Sequence, residues 1–252
     1  MCCDRILTGP EKIMAMEAAF AENKANRPPP PTRNRQRFGA SSMGAPMKMA
    51  LESGKKWKDG RTLGVYFVDG STTQKARVKE QALKWSDYAN IKFDFTVAKA
   101  DAQIRVSFGA DDGSWSYIGT DCLGIKKSEP TMNFGWLTDD TEDSEYERVV
   151  VHEFGHALGA IHEHQNPRGG IEWNLPAVYA YFSGPPNYWS KDDTDVNVIN
   201  KYSVDQLNAS KFDPDSIMLY QFDGALIKGG KPTKSNKKLS TGDKRFIKKQ
   251  YP

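Results

Sequence analysis

Apolar and polar residues alternate along Thr62 to Val68, Ile91 to Val97 and Gln103 to Phe108, a period of two that predicts strands with one buried face. Between the first two, Thr72 to Ala89 places Val78, Ala82, Trp85 and Ala89 on one side of a 3.6-residue period and predicts a helix. The chain therefore opens on a β-α-β-β run. A second amphipathic stretch, Glu145 to Leu158, presents Tyr146, Val149, Val150 and Phe154, with Ser144 and Glu147 in S-x-x-E capping order ahead of it. Asn174 as cap and Pro176 in the first turn predict a helix to about Phe182. Ser240 caps a terminal helix whose lysines, Lys244 to Lys249, form a solvated face, and the stretch between these two helices reads as irregular. Strands and helices are segregated rather than regularly alternating, which gives an α+β class with a twisted mixed sheet.

Ahead of this unit, Glu11 to Lys24 predicts a short helix and Pro28 to Pro31 an extended linker. We divide the chain into an N-terminal extension, residues 1–55, a possible pro-segment ending in a Pro-rich linker, and a catalytic domain, residues 56–252. The 252 residues are 38% hydrophobic and 11% aromatic, enough for one packed core. A net charge of +3 is mild, and Arg33, Arg35 and Arg37 read as solvated linker, so a nucleic-acid partner is not expected. No run approaches the roughly 20 apolar residues of a membrane span, and charges at Asp4, Arg5, Glu11 and Lys12 interrupt any secretory signal, leaving the compartment open. A monomer is expected.

The chemistry is concentrated in HEFGHALGAIHEH, which holds all four histidines. His152 and His156 lie four apart and share a helix face about 6 Å from one another. Gly159 tolerates a left-handed backbone, ends the helix and turns the chain so that His162 arrives as third ligand. Three imidazoles leave the fourth position of a tetrahedral Zn2+ open, the signature of a catalytic rather than a structural site. Glu153, next to the first ligand, is placed to take a proton from a zinc-bound water and hand it to a leaving amine, which implies hydrolysis of peptide bonds in proteins or peptides. His164 falls outside the ligand spacing and is expected to face solvent or to support a ligand.

The full pattern H-E-x-x-H-x-x-G-x-x-H resembles the metzincin signature, and Ser216-Ile217-Met218-Leu219-Tyr220 resembles that clan's methionine turn. Together with Glu163 after the third histidine, these make the chain similar to astacin-type zinc endopeptidases, in their microbial branch. Further likeness lies in Trp115 to Thr120, Thr131 to Trp136, Gly184 to Trp189 and Leu239 to Asp243. The resemblance implies a metzincin-type fold, two long helices over a loop-rich C-terminal lobe with zinc in the cleft between. It implies Met218 as an apolar floor, Tyr220 as a phenol that swings to the oxyanion, and an edge strand holding Asn133, Phe134, Gly135 and Trp136 against an extended substrate. Only Cys2, Cys3 and Cys122 are present, so the two disulfides of animal relatives cannot both form. The loop Gln165 to Gly170 also lacks the Arg/Asp-rich pattern, which puts a salt bridge from Glu163 to a processed N-terminus in doubt. Cys2 or Cys3 could take the open zinc position in a latent form, since a thiolate is a strong ligand. Two other classes stay open: a catalytically silent zinc-containing module that binds peptides or proteins, and a zinc hydrolase acting on something other than peptides.

Overall fold

The structure is a computed structural model, and it describes residues 3–5, 7, 9–27, 53–185, 187–202 and 211–252. The linker Pro28 to Pro31, the arginines at 33, 35 and 37, and Cys2 lie outside the described residues.

Among the described residues six strands form one sheet, β1 (Cys3–Asp4), β2 (Thr62–Phe67), β3 (Lys92–Asp94), β4 (Ile104–Ser107), β5 (Ser114–Ser116) and β6 (Met132–Phe134), in the order β1-β5-β6-β4-β2-β3. All neighbours are parallel except β5 and β6, whose register sets Ser114 opposite Phe134 and Ser116 opposite Met132. The inward residues Leu63, Val65, Ile104, Val106, Met132 and Phe134 are buried against two long helices, α2 (Thr72–Leu83) and α3 (Asp143–Ala157). Alternation on the strands and the 3.6-residue stripe on the helices thus meet in one core. Phe93 packs edge-on to Phe154, ring centroids 5.1 Å apart, and the Trp85 indole donates to the Val151 carbonyl at 2.8 Å, tying the end of the α2 region to α3.

Ser71 and Gln74 form the capping box that starts α2, and the helix stops at Leu83 rather than at Ala89. The next residues turn, yet Trp85 and Ala89 stay in the core because the turn keeps their side chains on the buried side. The start of α3 also differs from expectation. The helix begins at Asp143, with Glu142 as a cap that makes no side-chain bond, so Ser144 and Glu147 already lie inside it. Ser144 instead meets the Lys237 ammonium and Glu147 pairs with Lys84. Acidic Asp143 and Glu145 in the first turn suit the positive helix end without a capping box.

Below α3 lies the second lobe, with its own core of Ile171, Trp173, Val178, Phe182, Leu219, Tyr220 and Phe222. It carries α4 (Leu175–Phe182) and the short α5 (Lys191–Thr194) running into a π-turn to Ile199, whereas the terminal α6 (Thr241–Gln250) packs Phe246 and Ile247 into the first core. Asn174 precedes α4 as expected but does not cap it: its amide donates to the Ala225 carbonyl. The α5 segment gives order to a stretch that read as irregular. In the extension, α1 (Gly9–Glu22) packs on the residue 119–124 turns, and the Arg5 guanidinium reaches Asp112 while lying 4.2 Å from the Trp115 ring centroid.

Cys122 is a free, buried cysteine whose thiol burial pushes up to about 12. Iodoacetamide at pH 8 should therefore leave Cys122 unmodified in the folded protein and modify it fully in denaturant, as peptide mass mapping will record. Labelling of the native protein at Cys122 would show that this wall of the core opens.

Candidate metal centre and active site

α3 carries His152 and His156 one turn apart. Their Nε2 atoms lie 3.1 Å from each other, and His162 Nε2 lies 3.1 Å from that of His156. All three ligand atoms fall within 4.8 Å of one another. Two imidazole nitrogens this close, each with its ring buried, are read as lone pairs converging on a cation rather than as hydrogen bonds between rings. Zn–N bonds of roughly 2.0–2.1 Å put tetrahedral ligand nitrogens roughly 3.3 Å apart, so the spacing fits zinc.

The tautomers agree with this. His152 Nδ1 donates to the Ile217 carbonyl at 2.8 Å and His156 Nδ1 to the Ala160 carbonyl at 2.8 Å. With the proton held at Nδ1, each Nε2 keeps its lone pair for metal. Burial, reinforced by the neighbouring His156 and His162 rings, holds the His152 imidazole well below its usual range, and it stays neutral at physiological pH.

Local sequence explains how His162 reaches the same point. Gly159 has φ +96, the left-handed conformation anticipated for it, and its N–H closes on the His156 carbonyl at 2.7 Å while Ala160 N–H reaches the Gly155 carbonyl. The chain reverses there. Beyond it, the Glu163 N–H donates to the Met218 carbonyl, so the third ligand is pinned to the turn beneath the site.

That turn is built from Ser216 to Tyr220. Met218 is fully buried, and a Cβ on Gly155 would stand 2.6 Å from its sulfur, so the helix can cross the methionine only where it carries glycine. The Tyr220 ring stacks on His152 at 5.3 Å and lies 4.2 Å from the His162 centroid. His164 is buried, stacked on both His162 and Tyr220, with Nε2 directed at the Asn197 carbonyl; the solvent-facing alternative is excluded and the supporting one retained. Glu153 is fully buried on the same turn of α3 as His152. Glu163 is buried as well, one carboxylate oxygen accepting from the Asn166 amide and the Asp213 N–H, and burial pushes its carboxyl up to about 8.

The expected substrate strand needs correction. Met132–Phe134 is paired on both sides, with β4 and with β5, so it is an interior strand whose ladder is already satisfied. Asn133 and Phe134 are buried, the Asn133 amide spanning the Gly109 and Gly113 carbonyls, while Gly135 N–H bonds Gly113 and the Trp136 indole meets Glu145. The strand on that flank is β5, itself bordered by the backbone of β1. Chain order alone does not reveal which strand ends a sheet. Sequence reading also missed Asp243, whose carboxylate accepts from Ser216 Oγ at 2.6 Å, Ile217 N–H at 2.9 Å and Ser240 N–H at 2.9 Å. The signal was present, because Ser240 and Asp243 stand in capping-box order, but nothing in it pointed 27 residues back to the methionine turn.

A three-histidine centre, two ligands on a helix and the third on the loop after it, floored by a methionine turn and set between a mixed sheet and a loop-rich lobe, defines a zinc metalloendopeptidase of the metzincin class. The comparisons agree. The model of the astacin peptidase family matches residues 50–169. A solved structure of myroilysin is 46% identical over 81% of this chain and 98% of its own, with a TM-score of 0.78. A second myroilysin crystal structure is 43% identical over 83% of this chain and 92% of its own, at 0.62. High choriolytic enzyme 1, a hatching-enzyme zinc protease of the medaka fish Oryzias latipes, shares the fold at 18% identity over 82% of this chain and 98% of its own, with a TM-score of 0.54. No curated protein matched by sequence. The chain belongs to the astacin family, and its substrates are proteins or peptides.

Gly155→Ala should force Met218 or α3 to shift and cost about 1–3 kcal/mol, the usual range for overpacking. Denaturant melts will measure it; an unchanged midpoint would mean that the methionine yields freely.

Proposed function

We propose that the chain cleaves internal peptide bonds with Glu153 as general base and Tyr220 as oxyanion donor, within a catalytic domain formed by residues 56–252. The observation that supports this reading best is the meeting of three buried imidazoles, two with Nδ1 committed to carbonyls, beside a buried glutamate that follows the first of them on α3. Held by His152, His156 and His162, zinc supplies a Lewis acid and lowers the pKa of a water toward about 7.

Glu153 accepts a proton from the attacking water as its oxygen bonds to the carbonyl carbon, and returns that proton to the amide nitrogen as the C–N bond breaks. Tyr220, packed beside His152 and His162, brings a phenol O–H to the oxygen that becomes negative. Met218 holds the ligands from below as a soft apolar floor. Glu163 fastens the third ligand's loop to Asn166 and Asp213.

Digestion of casein tests the assignment. Glu153→Gln should lose about 10²–10⁴-fold in rate while retaining one zinc per chain. Tyr220→Phe should lose about 10²–10³ in kcat with little change in KM. Cleavage by Glu153→Gln at the wild-type rate would reject the base. No cleavage by zinc-loaded protein freed of residues 1–55 would favour the silent binding module.

A further inference from the structure

The zinc ligand His152 is held by a peptide group of the methionine turn, and that turn is held by a buried carboxylate. His152 Nδ1 donates to the Ile217 carbonyl at 2.8 Å, and on the adjoining peptide unit the Ile217 N–H donates to Asp243 at 2.9 Å. The other contacts of the Asp243 carboxylate are Ser216 Oγ and Ser240 N–H, both donors to it, the pattern of an ionised acceptor. Asp243 is buried and stands in the first turn of α6, where the helix dipole also favours an anion.

We propose that Asp243 is a positioning residue for the metal centre, fixing the methionine turn so that the Ile217 carbonyl meets His152 and raises that ligand's basicity. Outer partners of this kind orient an imidazole and strengthen it as a donor, and their loss costs about 10–100-fold in metal affinity. The Met218 N–H shares its peptide group with the Ile217 carbonyl and donates to Ser216 Oγ, which donates to Asp243, and bonds in series polarise one another, so the buried anion at one end is felt at the other. Ser216 completes the hold: its hydroxyl donates to Asp243 and accepts from Met218 N–H at 3.1 Å, so one carboxylate fixes three consecutive residues of the turn. The C-terminal helix, which carries no ligand, becomes part of the site. The inference rests on the three-histidine site and not on Glu153 as base.

Asp243→Asn in the full chain keeps the shape and removes the charge. Zinc affinity, measured by competition with a fluorescent chelator, should fall about tenfold or more, and the visible spectrum of the cobalt-substituted protein should shift. Ser240→Ala, which removes the cap hydroxyl but leaves the Ile217 bond, should lower the melting temperature and leave both readouts unchanged. Wild-type zinc affinity and spectrum in a folded Asp243→Asn protein would overturn the proposal. Should that variant fail to fold, hydrogen exchange at the Ile217 amide of the wild type decides: zinc loading must slow it more than exchange in α2, because coupling between two sites is reciprocal. Equal slowing would overturn the proposal as well.

Discussion

The 2.8 Å bond from His152 to the Ile217 carbonyl joins the two halves of the molecule at the point where chemistry occurs. On one side stands α3, packed to the sheet through Tyr146, Val149, Val150 and Phe154. On the other runs the turn whose residues divide between two cores, Ile217 and Met218 packing upward with the helices, Leu219 and Tyr220 downward with Trp173 and Phe222. A ligand set on one rigid element would need only that element. Here two ligands lie on the helix, each braced by a backbone carbonyl of a different segment, and the third lies on the loop after it, tied through the next residue's N–H to Met218, so the geometry of the metal is a readout of how the lobes sit together.

Electrostatics follow from the same arrangement. Three imidazoles in a dry seam cannot all carry protons, and burial with mutual repulsion keeps His152 neutral. The ring nitrogens of His152, His156 and His164 are met by backbone carbonyls, while the buried carboxyl groups of Glu163 and Asp243 anchor loops. Buried charge is handled likewise far from the centre: fully buried Arg105 spreads its guanidinium over the carbonyls of Ala102, Ile125, Lys126 and Glu129. Such carbonyl cages hold a charge without a counterion.

What was legible in the sequence was whatever depends on neighbours within a few residues. Periodicity located α2, α3 and the central strands; Gly159 announced the turn that delivers His162; Ser240 announced α6. The misreadings share a cause. Ser144 and Glu147 satisfied a local pattern that the acidic first turn of α3 made unnecessary, and Thr72 to Ala89 kept its helical stripe after the backbone had left the helix. The pairing of Met132–Phe134 on both sides, and the reach of Asp243 to Ser216, are set by segments brought together only in the fold. Long-range pairing leaves little trace in one sequence.

Those long separations also decide when the centre comes into being. His152 and Ile217 are 65 positions apart, and Asp243 lies a further 26 beyond Ile217, near the end of the chain. Loop closures of that length come late in folding, after local helices have formed. The histidine motif can exist as a helix long before its bracing arrives. A half-collapsed chain would therefore carry the ligands without the assembled pocket.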